Sequence, residues 1–113
     1  MNKIENLKLE LTKAIRESQE YKEYREFSEV LSRQPDLKRA VDEFRKENFL
    51  YQNSHDIEDP LGASLALDAR FADVRSQEVV NRYLMAEMGV CRLVRDVCMS
   101  VVEAVDFDME FLQ

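Results

Sequence analysis

Apolar residues recur every three or four positions along most of this chain, the pattern of helices that each bury one face. Ile4, Leu7, Leu11, Ala14 and Ile15 fall on one side of a first helix, with charged residues between them. Ser18 is placed to cap a second, along which Tyr21, Tyr24, Phe27, Val30 and Leu31 repeat. The pattern leaves open whether the chain kinks at Ser18 or runs straight through it. Arg33-Gln34-Pro35-Asp36 is a clearer break. Pro35 suits the first helical position, where its missing N–H costs nothing, and Asp36 complements the positive helix end. Leu37, Ala40, Val41, Phe44 and Tyr51 then predict a third helix to about Gln52. From Asn53 to Leu61 the periodicity stops, which predicts a loop. A short helix is expected over Ala63 to Val74, through Leu65, Leu67, Phe71 and Val74, and Ser76 is expected to cap the last helix.

That last helix, about Gln77 to Val105, carries the most information. From Val79 to Val105, 18 of 27 residues are apolar, and most polar ones (Arg82, Gly89, Arg92, Asp96, Ser100, Glu103) project onto one narrow stripe. Such a helix is roughly 43 Å long at 1.5 Å per residue. A chain of this size has a radius of gyration near 13 Å, hence a diameter of about 35 Å. An apolar face that wide, on an element that long, predicts a partner, and a second copy is the economical choice.

Composition narrows the class. The 113 residues are 45% hydrophobic and 35% charged, with two Gly and two Pro, too few turn residues for an all-β fold. The formal charge is −7 and no basic cluster forms a face, which disfavours direct binding to nucleic acid or to anionic membranes. The first ten residues lack the apolar core of a signal peptide, and no apolar run exceeds four residues, far short of the ~18 a membrane span needs. A cytoplasmic protein is expected. Cys91 and Cys98 share a helix face about 10 Å apart along the axis, beyond the ~7 Å a disulfide tolerates between Cα atoms. Buried free thiols are the plain expectation, with an inter-subunit bridge or a metal contact as the alternatives.

Catalytic signatures are few. His55, the single histidine, sits in the loop without metal-ligand spacing, and no Gly-rich phosphate loop or Gly-x-Ser-x-Gly turn occurs. The carboxylates read as solvated helix faces, except Glu87. It lies nearly opposite the polar stripe, among Val80, Tyr83, Leu84, Val90, Cys91 and Val94. A carboxylate there must be paired, protonated or wet. Arg45, Asn48 or Gln52 of the third helix are candidate partners, either as a structural polar pair or as an element fixing register between helices or subunits. Arg25, Arg39, Arg45 and Arg92 are candidates for partner contacts, but their single, scattered placement favours surface ion pairs worth under about 1 kcal/mol each. The tail from Val105 to Leu112 alternates apolar and acidic residues. Read as helix it aligns Phe107 with Phe111 and extends the core; read as extended chain it is a docking peptide. Packing within its own oligomer is the favoured reading.

Glu17-Ser18-Gln19-Glu20-Tyr21-Lys22-Glu23-Tyr24, the Pro35-Asp36-Leu37 break, and Asp42-Glu43-Phe44-Arg45 with Gln52 resemble the front half of the YlbF/YmcA family of small bacterial regulators. Glu78-Val79-Val80, Tyr83-Leu84-Met85-Ala86-Glu87, Cys91-Arg92-Leu93 and the closing stretch from Phe107 to Leu112 look like its back half. The resemblance covers essentially the whole chain. It implies a helical bundle that oligomerises and has no catalytic activity, linked to competence, sporulation and biofilm control in Gram-positive bacteria. It also implies an accessory role in a complex directing messenger-RNA cleavage. Some members carry a cysteine-rich C-terminal tail connected with an iron–sulphur cluster; Cys91 and Cys98 do not match that pattern, and no cofactor is expected.

The sequence thus predicts an all-α antiparallel bundle of four to five helices with a long C-terminal helix, formed as one domain over residues 1–113. Its expected role is that of a non-catalytic regulatory adaptor, a homo-oligomer (dimer or higher) contacting a protein partner. The RNA-processing machinery is the candidate partner. Tyr83, Leu84, Glu87, Cys91 and Val94 on the last helix, with Phe44, Arg45 and Gln52 on the third, are the expected interface or structural residues. The rival readings are a stand-alone structural oligomer and, behind it, an iron–sulphur or redox sensor.

Overall fold

The computed structural model describes residues 2–106, 108 and 110–112. Among them are six α-helices and no strand: α1 (Lys3–Arg16), α2 (Gln19–Ser32), α3 (Pro35–Gln52), α4 (Pro60–Arg70), α5 (Ala72–Ser76) and α6 (Glu78–Val105). The fold is all-α, with the long C-terminal helix anticipated from the apolar pattern. Its contacts group into two units, one of Met1–Arg25 with Met85–Gln113 and one of Glu26–Leu84.

The breaks between helices have local causes. The chain does not run straight through Ser18. Its N–H bonds the Ile15 carbonyl at 3.1 Å, and its Oγ accepts from the Tyr21 N–H at 3.2 Å. One residue therefore closes α1 and opens α2. Pro35 occupies the first turn of α3, and Asn53 ends it by donating its backbone N–H to the Phe49 carbonyl at 3.1 Å.

The predicted helix from Ala63 to Val74 is two helices, starting earlier and interrupted. Asp59 accepts from the Gly62 N–H at 3.1 Å, and Pro60 supplies the preset first turn, so α4 begins at Pro60. It stops at Phe71, whose backbone (φ −108°, ψ 13°) leaves the helical basin while its side chain, 4% exposed, enters the core. Ser76 is not the cap of α6. Its Oγ donates to the Asp73 carbonyl at 2.8 Å, and α6 starts from the extended backbone of Gln77. At the far end Asp106 adopts φ 60°, the left-handed conformation that stops helices and that Asp tolerates better than most residues.

The core lies in the unit of residues 26–84. Leu31, Val41, Phe44, Phe71, Val80 and Tyr83 are buried there. Phe44 of α3 meets Phe71 edge-on, with ring centroids 5.3 Å apart. Arginines cover the rims of this aromatic core, Arg75 over Phe44 at 5.1 Å, Arg70 over Phe71 at 4.8 Å and Arg82 over Phe27 at 6.0 Å. Arg70 also pairs with Glu43, tying α4 to α3.

The other unit is different. Helix α1 has no buried residue, and Ala86 is the only buried hydrophobic among the unit's described residues. Glu20 of α2 lies against α6 at Gly89, close enough for ordinary contact with a side chain there. Phe107 and Met109, expected to extend the tail, lie outside the described residues. Glu110–Leu112 form a single 3-10 turn with Phe111 and Leu112 exposed.

Candidate interaction site

The expected site residues divide between the two units. In the 26–84 unit, Tyr83 is 1% exposed and Phe44 is buried, so both serve the core. Leu84 and Arg45 are half-buried and Gln52, the last residue of α3, is exposed. The fold brings Arg45 and Tyr83 together, the guanidinium lying 5.7 Å from the ring centroid. Arg45 also reaches Asp42 at 3.2 Å, and Asp42 receives Lys38 at 2.6 Å. Burial raises the Asp42 pKa, but hydrogen bonds and charge from Lys38, and then from Arg45, outweigh it and hold the carboxyl below its ordinary value. The pairing of Arg45 with Tyr83 had no signal in the spacing of either residue.

A second feature of that unit was missed in the sequence. The end of α3, the following loop and α4 enclose an open groove of about 450 Å³, lined mainly by Leu50, Tyr51, Ile57 and Leu67, with Glu47 and Arg70 at its edge. Tyr51 donates its hydroxyl to the Pro60 carbonyl at 2.9 Å, which fixes one wall.

In the other unit, Glu87 is half-buried, while Cys91 and Val94 are exposed. The thiols were expected to be buried; instead Cys91 and Cys98 are both exposed and free. The reason is a division of α6 into two apolar seams. Ala86, Val90, Leu93 and Val97 form one, and it is buried or half-buried. Cys91, Val94, Cys98, Val101 and Val105 form a second, about 100° round the helix, and every one of its residues is exposed. Val101 stands at 55%. The 3-4-3-4 spacing of this second seam is that of a helix made to receive another helix. On α1, Ile4, Leu7, Leu11 and Ala14 repeat at 3-4-3 and are also exposed, Leu7 at 51%.

No three His, Cys, Asp or Glu side chains among the described residues gather into a group able to hold a metal ion. Among the same residues no helix is long and apolar enough to cross a membrane.

Against known families, a model described as control of competence regulator ComK, YlbF/YmcA, matches residues 4–106. The chain belongs to the YlbF/YmcA family. It is also similar to a UPF0342 protein of Caldicellulosiruptor bescii, 23% identical over 112 residues that span 97% of this chain and 94% of that protein. No solved structure matches it significantly. The YlbF/YmcA family is a regulatory one, named for control of a competence regulator and not for an enzymatic activity.

Proposed function

We propose that the chain is a cytoplasmic, non-catalytic regulatory adaptor that self-associates and acts by occupying surfaces of a protein partner. Developmental or messenger-RNA-processing control in a Gram-positive bacterium is the setting. The observation that carries this is the exposed seam on α6 from Cys91 to Val105, matched by the exposed stripe on α1. Leaving that much apolar surface in water is unfavourable by roughly 25 cal/mol per Å², so the seams are built for cover. Membership of a family named for control of a regulator supports a partner outside the oligomer. The half-buried Glu87, beside the start of the seam, would set register between helices.

Light scattering of the purified chain, together with native affinity capture and mass spectrometry, tests the reading. An oligomer and a recurrent, specific protein partner are expected. A monomer that captures nothing specific sinks it. An oligomer that captures nothing, with transcript processing unchanged on gene deletion, would instead favour a self-sufficient structural assembly.

A further inference from the structure

We infer that the groove between α3 and α4 is a docking site for a short amphipathic helix of another protein, one with basic residues beside its apolar face. This rests on the regulatory-adaptor reading and names the chemistry of the partner. The groove lies wholly within the unit of residues 26–84. Glu47, Leu50 and Tyr51 of α3, followed by Ser54, form one wall. Ala63, Ala66, Leu67 and Arg70 of α4 form the other. Both sets step i, i+3, i+4, i+7, so each wall is a single helix face about 10 Å long. The walls are tied at both ends, by Arg70 to Glu43 and by the Tyr51 hydroxyl to the Pro60 carbonyl at 2.9 Å. The groove is therefore formed before anything enters it. Leu50 is left 52% exposed, and Ala63 and Ala66 add no bulk. Small residues let a third helix come to the separation of about 8–10 Å at which helices pack. Among the described residues there is no strand, hence no sheet edge for an extended peptide to join. A helix laid in the groove is the mode these walls offer.

Charge selects the occupant. From Glu47 to Asp68 the sequence carries Glu47, Asp56, Glu58, Asp59 and Asp68 and no Lys or Arg, so this short stretch holds most of the formal charge of −7. Asp59 is engaged as the cap of α4, and Asp68 by Arg75 at 3.0 Å. Glu47, in the groove wall, has no ion pair among the described residues. Neither have the exposed Asp56 and Glu58, on either side of the lining residue Ile57. Arg70, the one cation among the described lining residues, is held by Glu43. Lys46, next to Glu47 in sequence, is not part of the lining. An acidic helix would set like charges against this rim, whereas Lys and Arg flanking an apolar strip complement it.

Fluorescence anisotropy with the full chain and labelled peptides of roughly four helical turns provides the test. One peptide repeats Leu at i, i+3, i+4 and i+7 with Lys at the flanking positions. A second replaces each Lys by Glu, and a third scrambles the first and so keeps its charge. The Leu/Lys peptide should bind saturably with a Kd of about 10–100 μM, and the other two about tenfold more weakly or worse. Ala66→Trp fills the groove from an exposed position and should weaken the Leu/Lys peptide about tenfold or more, with helical circular dichroism kept. Asp56→Lys combined with Glu58→Lys should weaken it about tenfold at low salt and hardly at all near 1 M, where charges are screened within about 3 Å. Equal binding of the scrambled peptide, indifference to Ala66→Trp, or no saturable binding overturns the groove as the site. Equal or tighter binding of the Leu/Glu peptide overturns the choice of occupant. So does dissociation of a wild-type oligomer by Ala66→Trp in light scattering, which would put a second copy in the groove. The groove and the adaptor reading fail separately. A specific partner captured equally well by wild type and Ala66→Trp keeps the adaptor and sinks the groove. A wild type that captures no partner, yet selects the Leu/Lys peptide, sinks the adaptor and keeps the groove.

Discussion

Helices in the two units of this chain carry the same three-four apolar code, but one unit buries it and the other displays it. Between residues 26 and 84, α3, α4 and α5 are joined by short connections and pack on one another, and the aromatic side chains of Phe44, Phe71 and Tyr83 have somewhere to go. In the unit formed by the chain's two ends, α1 buries nothing and α6 beyond Ala86 keeps one seam half-covered and a second bare. Periodicity therefore specifies that a face is to be covered, and it does not specify by whom. The partner is read from what is left uncovered once the chain has packed on itself.

Breaking that comparison begins in the core. Phe44→Ala removes the ring that meets Phe71 and should cost about 3–5 kcal/mol, a large share of a typical domain's 5–15 kcal/mol. Chemical denaturation measures it. Leu7→Ala, on the bare stripe, should cost the dilute monomer less than about 0.5 kcal/mol. If the two losses prove equal at concentrations below assembly, α1 has a core of its own and the contrast is false. The second expectation follows from mass action. Association stabilises the assembled state by about 1.4 kcal/mol for each tenfold rise in concentration, so the melting temperature should climb with concentration in the wild type. It should stay flat in Val101→Asp. A wild type with no such dependence would mean that the bare seams are simply solvated.

Much of the helical layout was legible because its signals are local. Pro35 marks a boundary through its fixed φ and missing N–H, and Asn53 through a hydrogen bond within a turn of itself; the bonds of Ser18 are equally local, though the pattern alone left that break open, and the structure places α1, α2, α3 and α6 close to the expected bounds. The start of α4 was just as local: Asp59 followed by Pro60 is a cap and a preset first turn, and the pair could have been read. Phe71 could not. It breaks the helix because a core formed by residues far along the chain accepts its ring, and the 3.6-residue pattern through it is intact. The proximity of Arg45 to Tyr83 is of the same kind. The cysteines illustrate a third case, since projection placed them correctly on an apolar face but could not tell which of two adjacent apolar faces the chain covers.

Helix caps offer a finer comparison of the two units. Ser18 terminates and starts helices in the unit without a core, and Asp59 starts α4 in the unit with one. Ser18→Ala and Asp59→Ala should each cost about 1 kcal/mol, measured by thermal denaturation. The consequences should differ in kind. Loss of the Asp59 cap should lower a cooperative transition, whereas loss of the Ser18 cap should fray α1 and α2 locally, visible as faster amide exchange near Tyr21. Equal, global effects would mean that the two units unfold as one.

The smallest expected effect is electrostatic and belongs to the packed unit. Asp42 sits between Lys38 and Arg45, the latter also over Tyr83, and these cations hold its carboxyl below the ordinary value despite partial burial. A group whose pKa is lower in the folded chain binds fewer protons there than when unfolded. It therefore stabilises the fold above its unfolded pKa, and that contribution fades as the pH falls through the folded value, below about 4. The carboxylate is 47% exposed, so solvent screening limits the gain to a few tenths of a kcal/mol. Wild type should exceed Asp42→Asn by that margin at pH 7, and the two denaturation midpoints should converge as acid protonates the carboxyl. A margin that persists unchanged into acid would show that Asp42 acts through packing of its side chain and not through its charge.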